Sequence, residues 1–213
     1  MSDPVDHLDI IDTDDGGHFY TYNGKRVPNV TEILELTDVL LQNSFYKERK
    51  EAAAIRGREV HLATADIDRG GPVWWTDQDE IMPYTLAWKQ FKVDYDFQPL
   101  FIEQPIYSRA FRYAGTCDRF GSIHLPGGRR AVVLEIKAVA TIGEHVALQL
   151  AGYNQLYAPD SDKRDLIAVQ LKPTGRYVVH NFTERIDHHT MIFLAALSLA
   201  RWKDRMHHIN RWT

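Results

Sequence analysis

The run "AVVLEIKA", residues 131 to 138, constrains the fold more than any other segment. It reads as a strand that is apolar on both faces, broken only by Glu135 and Lys137. Alternate residues of a strand share a face, so a run without polar alternation has to be covered on both sides. That places it inside a sheet with a layer packed against each face. Leu134 and Ile136 point into one layer, and Glu135 and Lys137 point together toward the other. Two charges on a strand buried this way need partners.

The flanking segments extend this to an α/β architecture. "PLFIEQPIYS" and "RYAGTCDRFGSIHL" read as preceding strands, the second joined to the run by the turn "PGG". A helix is expected over "GEHVALQLAGYNQLYA". Two strands follow, "DLIAVQLK" and "RYVVHNFT", linked by "PTG", and a helix over 186–208 closes the chain. Upstream, "HFYTYNGKRVPNV" predicts a hairpin turning at Asn23-Gly24. "NVTEILELTDVLL" predicts a helix opened by an Asn29/Glu32 capping box, with Thr31 as a rival cap. "YKERKEAAAIRGREVHLATADIDR" is a charged helix. "PYTLAWKQFKVDYDF" is an amphipathic one with Pro83 in its first turn. Residues 1–17 read as a loose acidic lead-in. The order predicts a mixed central sheet with helices on both faces. No repeat or linker divides the chain, so residues 1–213 are expected to form one domain. It has an N-terminal hairpin and helical part (1–98), a core (99–185) and a C-terminal helix (186–213).

With 44% apolar and 25% charged residues, the 213-residue chain suits a globular protein with one sizeable core. A net charge of −4 excludes a protein that coats nucleic acid by bulk charge. It leaves room for a basic patch beside acidic site residues. The N-terminus lacks the apolar stretch of a signal peptide. The longest apolar run, "MIFLAALSLA", is too short to span a bilayer, so no membrane partner is expected. The single cysteine, Cys117, allows no intrachain disulfide and no cysteine-cluster metal site, which fits a cytoplasmic location.

The chemistry concentrates on neighbouring strands. These lie about 4.8 Å apart, so Asp118, across the hairpin from Glu135, converges with it on one point. Two carboxylates that close repel unless a cation bridges them or one is protonated. A hard divalent cation takes such oxygen ligands, and Lys137 beside it can hold a water or a phosphate oxygen. The bland alternative is a structural Asp/Glu/Lys salt-bridge network. Gly115, inside the strand that carries Asp118, weighs against it as a mark of a bend or of close ligand approach. If the carboxylates repel, Asp118→Asn is expected to leave the metal-free chain at least as stable as the wild type.

Asp118 in "GTCDRF", followed after 16 intervening residues by "EIK", resembles the D…ExK core of the PD-(D/E)XK nuclease superfamily. "QLAGY" is similar to the QxxxY element of its RecB-type branch. "RGREVH" puts His61 where that branch has an upstream histidine, and "VPNVTEIL" and "VQLKPTGRYVV" resemble segments of its phage and prophage members. The resemblance implies a restriction-endonuclease-like core with an N-terminal helical extension. It implies a Mg²⁺-dependent, lambda-exonuclease-like DNA exonuclease of recombination or DNA processing, with Mn²⁺ able to substitute. Asp118, Glu135 and the Ile136 carbonyl would hold the metal, and Lys137 would position or activate water. His61 would ligate or flank a metal and Glu103 would be a further ligand. Gln149 and Tyr153 would hold DNA backbone or brace the site. Implied partners are DNA, as double-stranded ends or single strands, a single-strand annealing or binding protein, and further copies of the chain in a homo-oligomer. The four-cysteine iron–sulfur subgroup is excluded by the lone Cys117. "EIKAVA" also departs from the common "DIKT" by lacking the threonine.

Two alternatives stay open: an endonuclease on the same core, and a non-catalytic DNA- or protein-binding module on a nuclease fold. Trp74 and Trp75 could stack on an end base or simply anchor a loop. Lys47, Arg49, Lys50, Arg56 and Arg58 could line a DNA channel or form a solvated helix face. His188–His189 and His207–His208 lack the i, i+4 spacing of a helical metal pair.

Overall fold

The computed structural model describes residues 6–14, 17–38, 47–72, 74–75, 80–157, 164–206 and 212, and at 36–38 and 47–54 the backbone only. The side chains of Lys47, Arg49 and Lys50, together with His207 and His208, lie outside the described residues. The N-terminal part is a three-stranded antiparallel sheet: β1 (Leu8–Asp12), β2 (His18–Tyr22) and β3 (Lys25–Val27). β1 corrects the expected loose lead-in. Its acids are exposed or half-exposed, but Leu8 packs against Tyr20, Val27 and Ala114, and Ile10 pairs with Tyr20. Asn23 and Gly24 both have positive φ, 51° and 75°, as a two-residue type I′ hairpin turn requires.

Helix α1 (Val30–Asp38) opens with the capping box. Glu32 N donates to Asn29 Oδ1 at 2.9 Å and Asn29 N donates to Glu32 Oε2 at 3.3 Å, so Asn29 rather than Thr31 is the cap. Helix α2 (Lys47–Arg69) and helix α3 (Met82–Asp94, with Pro83 in its first turn) follow. The main sheet then runs β4 (Gln98–Ser108), β5 (Tyr113–Leu125), β6 (Gly128–Lys137), β7 (Asp165–Leu171) and β8 (Tyr177–Asn181) in spatial order. All pairings are antiparallel except β6 with β7, and helix α4 (His145–Asn154) is the crossover between those two. A single 3₁₀ turn, Thr183–Arg185, leads into α5 (Ile186–Met206).

The alternation of β6 divides two cores as its sequence demands. Val133 joins Val30, Leu150, Phe193 and Leu197 under α1, α4 and α5. Val132, Leu134 and Ile136 join Val60, Trp88 and Phe91 under α2 and α3. Each buried aliphatic side chain contributes about 1.5–3 kcal/mol, so the two layers hold β6 rigidly between them. This is a mixed, mostly antiparallel sheet with helices on both faces. No helix among the described residues is long and apolar enough to cross a membrane.

Candidate active site

The β5–β6 ladder pairs Arg119 with Leu134 and goes no further. The next positions are Asp118 and Glu135, where the strands part. There the Ile136 amide donates to Asp118 Oδ2 at 2.7 Å instead of to a backbone carbonyl of β5. On the other side, β4 pairs Ile102 with Arg119 and Gln104 with Cys117, and between them Glu103 faces Asp118. Glu103 has φ +49°, a left-handed conformation that costs a non-glycine residue on the order of 1–3 kcal/mol. It turns β4 over: Phe101 and Ile106 both pack toward the α4–α5 core, although strict alternation would separate them. Cys117 and Phe120 do the same on β5. Both strands change face at one level and open a cleft there.

Helix α2 brings His61 into this cleft, Nδ1 lying 3.3 Å from Asp118 Oδ1 and 4.0 Å from Glu103 Oε1. Lys137 Nζ donates to Glu135 Oε2 at 2.8 Å and to Gln149 Oε1 at 3.0 Å. Gln149 Nε2 in turn donates to the Tyr153 hydroxyl at 3.2 Å. Gln149 and Tyr153, four residues apart on α4, thus brace the lysine from the helix. Asp118, Glu135, Lys137, the Ile136 backbone, His61, Glu103, Gln149 and Tyr153 converge at this one place.

The two carboxylates are not equivalent. Burial pushes Asp118 up, but the His61 imidazole, Lys137 and the Ile136 amide outweigh it and bring the carboxyl down to about 2. Burial and then the Asp118 charge raise Glu135 to about 7, Lys137 offsetting only part. Burial lowers Lys137, but Glu135 and Asp118 outweigh that and leave its pKa raised, so it stays an ammonium. Burial also lowers His61, and Asp118 reverses the sign. Asp118 is the more favourably held charge, which weighs against the expectation that Asp118→Asn relieves repulsion, and the strain of the like-charge pair falls on Glu135.

Two buried carboxylate oxygens, Glu135 Oε1 and Glu103 Oε1, have no hydrogen-bond partner. Such atoms are costly to bury. Oxygen donors of this kind suit a hard cation. No group of three or more His, Cys, Asp or Glu side chains among the described residues has metal-holding geometry. His61 and Lys137 lie against the carboxylates and take up part of their capacity. Glu103 Oε1 also faces Arg119 Nη1 at 3.5 Å, so what is left to fit a cation here is Glu135 Oε1 and the Asp118 carboxylate.

Behind Asp118 lies a network that sequence reasoning missed. Arg119 is fully buried, with Nε donating to Asp68 Oδ2 at 2.6 Å, Nη1 to the Asp118 carbonyl at 2.6 Å and Nη2 to Thr64 Oγ1 at 3.1 Å. Asp68 also accepts from Lys92 at 2.6 Å and from the Trp88 indole at 3.1 Å. This ties α2, and with it His61, to β5. Gln170 was missed as well. It donates to the carbonyls of Val139 and Ala140 at 2.9 and 2.8 Å and pins the loop that leaves Lys137.

Other candidates fall elsewhere. Trp75 is buried in the α2–α3 core, while Trp74 is half exposed and donates to Asp66 at 2.6 Å. Arg56 lies 5.9 Å over the Tyr84 ring, and Arg58 is exposed. Gly115 marks neither a bend nor an approaching ligand: a Cβ there would come within 2.9 Å of the Tyr153 ring and 3.0 Å of Leu156 and Val30. It lets α1 and α4 close on β5. Compared with known proteins, the chain matches no protein-family model and no curated protein.

Proposed function

We propose that the chain is a Mg²⁺-dependent nuclease hydrolysing phosphodiester bonds of DNA, acting as an exonuclease on a restriction-endonuclease-like core of the PD-(D/E)XK type. The observation that carries this reading is the cleft between β5 and β6. There Asp118 and Glu135 stand at the point of divergence, one carboxylate oxygen is buried without a partner, and an ammonium is braced alongside. A network serving stability alone gives no reason to leave that oxygen open.

Asp118 and Glu135 would hold the ion, with Glu103 and the Ile136 carbonyl as further oxygen donors and Mn²⁺ as a substitute. Such a metal polarises the phosphate and lowers the pKa of its water. Lys137, held as an ammonium, donates to a phosphate or water oxygen and does not serve as a base. Its charge counts for more in a partly desolvated cleft than in water. His61 keeps Asp118 ionised, and a cation held at Glu135 Oε1 would favour the ionised form of Glu135, with Lys137 still on Oε2.

Digestion of end-labelled linear DNA and closed circular DNA in Mg²⁺, Mn²⁺ and EDTA tests the reading. Release of nucleotides from linear DNA with either metal, none in EDTA and intact circles are expected. Cut circles would make it an endonuclease. DNA binding without cleavage in any metal would make it a non-catalytic module, the reading that the ready-made His61–Asp118 and Lys137–Glu135 pairs favour.

A further inference from the structure

A cavity of about 450 Å³ lies between the N-terminal hairpin, the β4–β5 turn and the end of α5. Among the described residues, five cations line it, Lys25, Arg26, Arg112, Arg201 and Arg205, against one carboxylate, Asp204. The chain as a whole has a net charge of −4, so this hollow departs sharply from the average surface.

The cations are not all used up in holding the fold. Arg201 is structural: it donates to the carbonyls of Phe111 at 2.5 Å and Arg112 at 3.0 Å, fixing the turn where Arg112 has φ +51°. Arg26 pairs with Glu32 at 2.6 Å and stacks 4.5 Å over Phe19, yet its Nε is buried with no hydrogen-bond partner. Lys25, Arg112 and Arg205 are exposed. Burial, then Arg112 and Arg205, lower the Arg201 pKa, as expected for guanidiniums crowded together. One wall is aromatic: Tyr22 and Tyr107 stack with centroids 3.8 Å apart and planes at 17°.

We propose that this cavity binds single-stranded DNA, one backbone phosphate among Arg112, Arg205 and Lys25 and a base against the Tyr22–Tyr107 wall. Cationic grooves with stacking aromatics bind single strands with little sequence preference. The hollow has the volume of a small-ligand pocket, which fits a nucleotide and not a duplex. Arg112 precedes Asp118 by six residues, about 20 Å at roughly 3.3 Å per residue. A strand seated here reaches the Asp118–Glu135 cleft within a few nucleotides. The choice of DNA rests on the nuclease reading; the binding itself is separable from cleavage.

The test is fluorescence polarisation of a labelled oligothymidylate of about twelve nucleotides, in EDTA and across a salt series. Wild type, Arg112→Ala/Arg205→Ala and Lys25→Glu are compared, each checked by thermal melting. The double variant should bind about tenfold more weakly, with the slope of log K against log salt smaller by about 0.7 per lost contact. Its melting midpoint should not move. Wild-type affinity and slope in the double variant overturn the site. If that protein does not fold, unchanged binding by Lys25→Glu overturns it. Competition by inorganic phosphate with no change in oligonucleotide affinity among the variants also overturns it. Weakened binding in the double variant, with no cleavage by the wild type in any metal, keeps the site and removes the nuclease reading. Normal cleavage with unchanged binding removes the site alone.

Discussion

Asp118 and Arg119 are consecutive residues of β5 that both meet α2, and their surroundings solve the burial of charge in opposite ways. All three nitrogens of the Arg119 guanidinium are hydrogen-bonded, Nη1 also lies 3.5 Å from Glu103 Oε1, and both oxygens of its partner Asp68 are engaged. Around Asp118, Glu135 and Glu103 each keep a buried oxygen without a hydrogen bond, and Glu103 has strained backbone. A closed network gains its stability by leaving nothing for a ligand. An open one gives up stability and keeps capacity for one. The first holds α2 against the sheet so that the second keeps its shape.

The sharpest way to break this contrast is to open the closed side. Asp68→Ala leaves Arg119 and Lys92 without their shared carboxylate in a buried place. The loss should be about 3–5 kcal/mol, the usual cost of removing one partner of a buried ion pair. Urea unfolding measures it. A loss below about 1 kcal/mol, the scale of an exposed pair, would mean that the Arg119 cluster does not anchor α2.

On the open side, the expected losses are in turnover. Asp118→Ala, Glu135→Ala and Lys137→Ala should each reduce DNA cleavage by about 10²–10³ or more while the protein remains folded. Near-normal turnover by Lys137→Ala would sink the assigned role of the ammonium.

The two sides also differ in how far they can be read from sequence. The Asp118–Glu135–Lys137 cluster is legible because strand parity and one hairpin turn determine it, over a short stretch of chain. The Asn23-Gly24 turn, the Asn29–Glu32 box and Pro83 are legible for the same local reason. Arg119 is not. On its strand it reads as one more charged residue, and it is buried only because Asp68 arrives from a helix 51 positions earlier. Glu103 carries no local sign of its left-handed backbone, since that conformation belongs to the paired reversal of β4 and β5. β1 was hidden by its aspartates: Asp9 alternates away from the Leu8 contact, and Asp12 at the strand end is exposed. Gly115 misleads because a glycine that admits a helix and one that admits a ligand look alike in sequence.

The electrostatic strain of the open side predicts a pH dependence. Glu135 has a folded value of about 7, above its ordinary 4.5. In that window the folded chain binds more protons than the unfolded one, so stability falls as pH rises through it. Asp118, held down to about 2 from 3.8, stabilises the fold above the upper value and loses that contribution as pH falls through the lower. In EDTA, the wild-type melting midpoint should drop from pH 4.5 to 7 more than that of Glu135→Gln, with the variant the more stable at pH 7. Millimolar Mg²⁺ should raise the wild-type midpoint by mass action and leave the variant nearly unmoved. Equal pH slopes and no Mg²⁺ response would falsify the open-site account and return the cluster to a structural network.

The smallest effect sharpens the contrast most, because it concerns the brace between site and scaffold. Gln149→Ala frees Lys137 from its second acceptor and leaves the buried Tyr153 hydroxyl without its donor. The stability loss should be about 1 kcal/mol, near the low end for an unsatisfied buried polar group. Tyr153→Phe removes that hydroxyl, so Gln149→Ala/Tyr153→Phe should regain much of the stability. Turnover responds to a different bond, the one that aims Lys137. Both Gln149→Ala and the double variant should therefore lose about tenfold in turnover, equivalent to roughly 1.4 kcal/mol in the barrier. Tyr153→Phe alone should lose little. Recovery of turnover together with stability in the double variant would make Gln149 a purely structural partner of Tyr153. Stability restored with turnover still low would show that the helix aims the lysine.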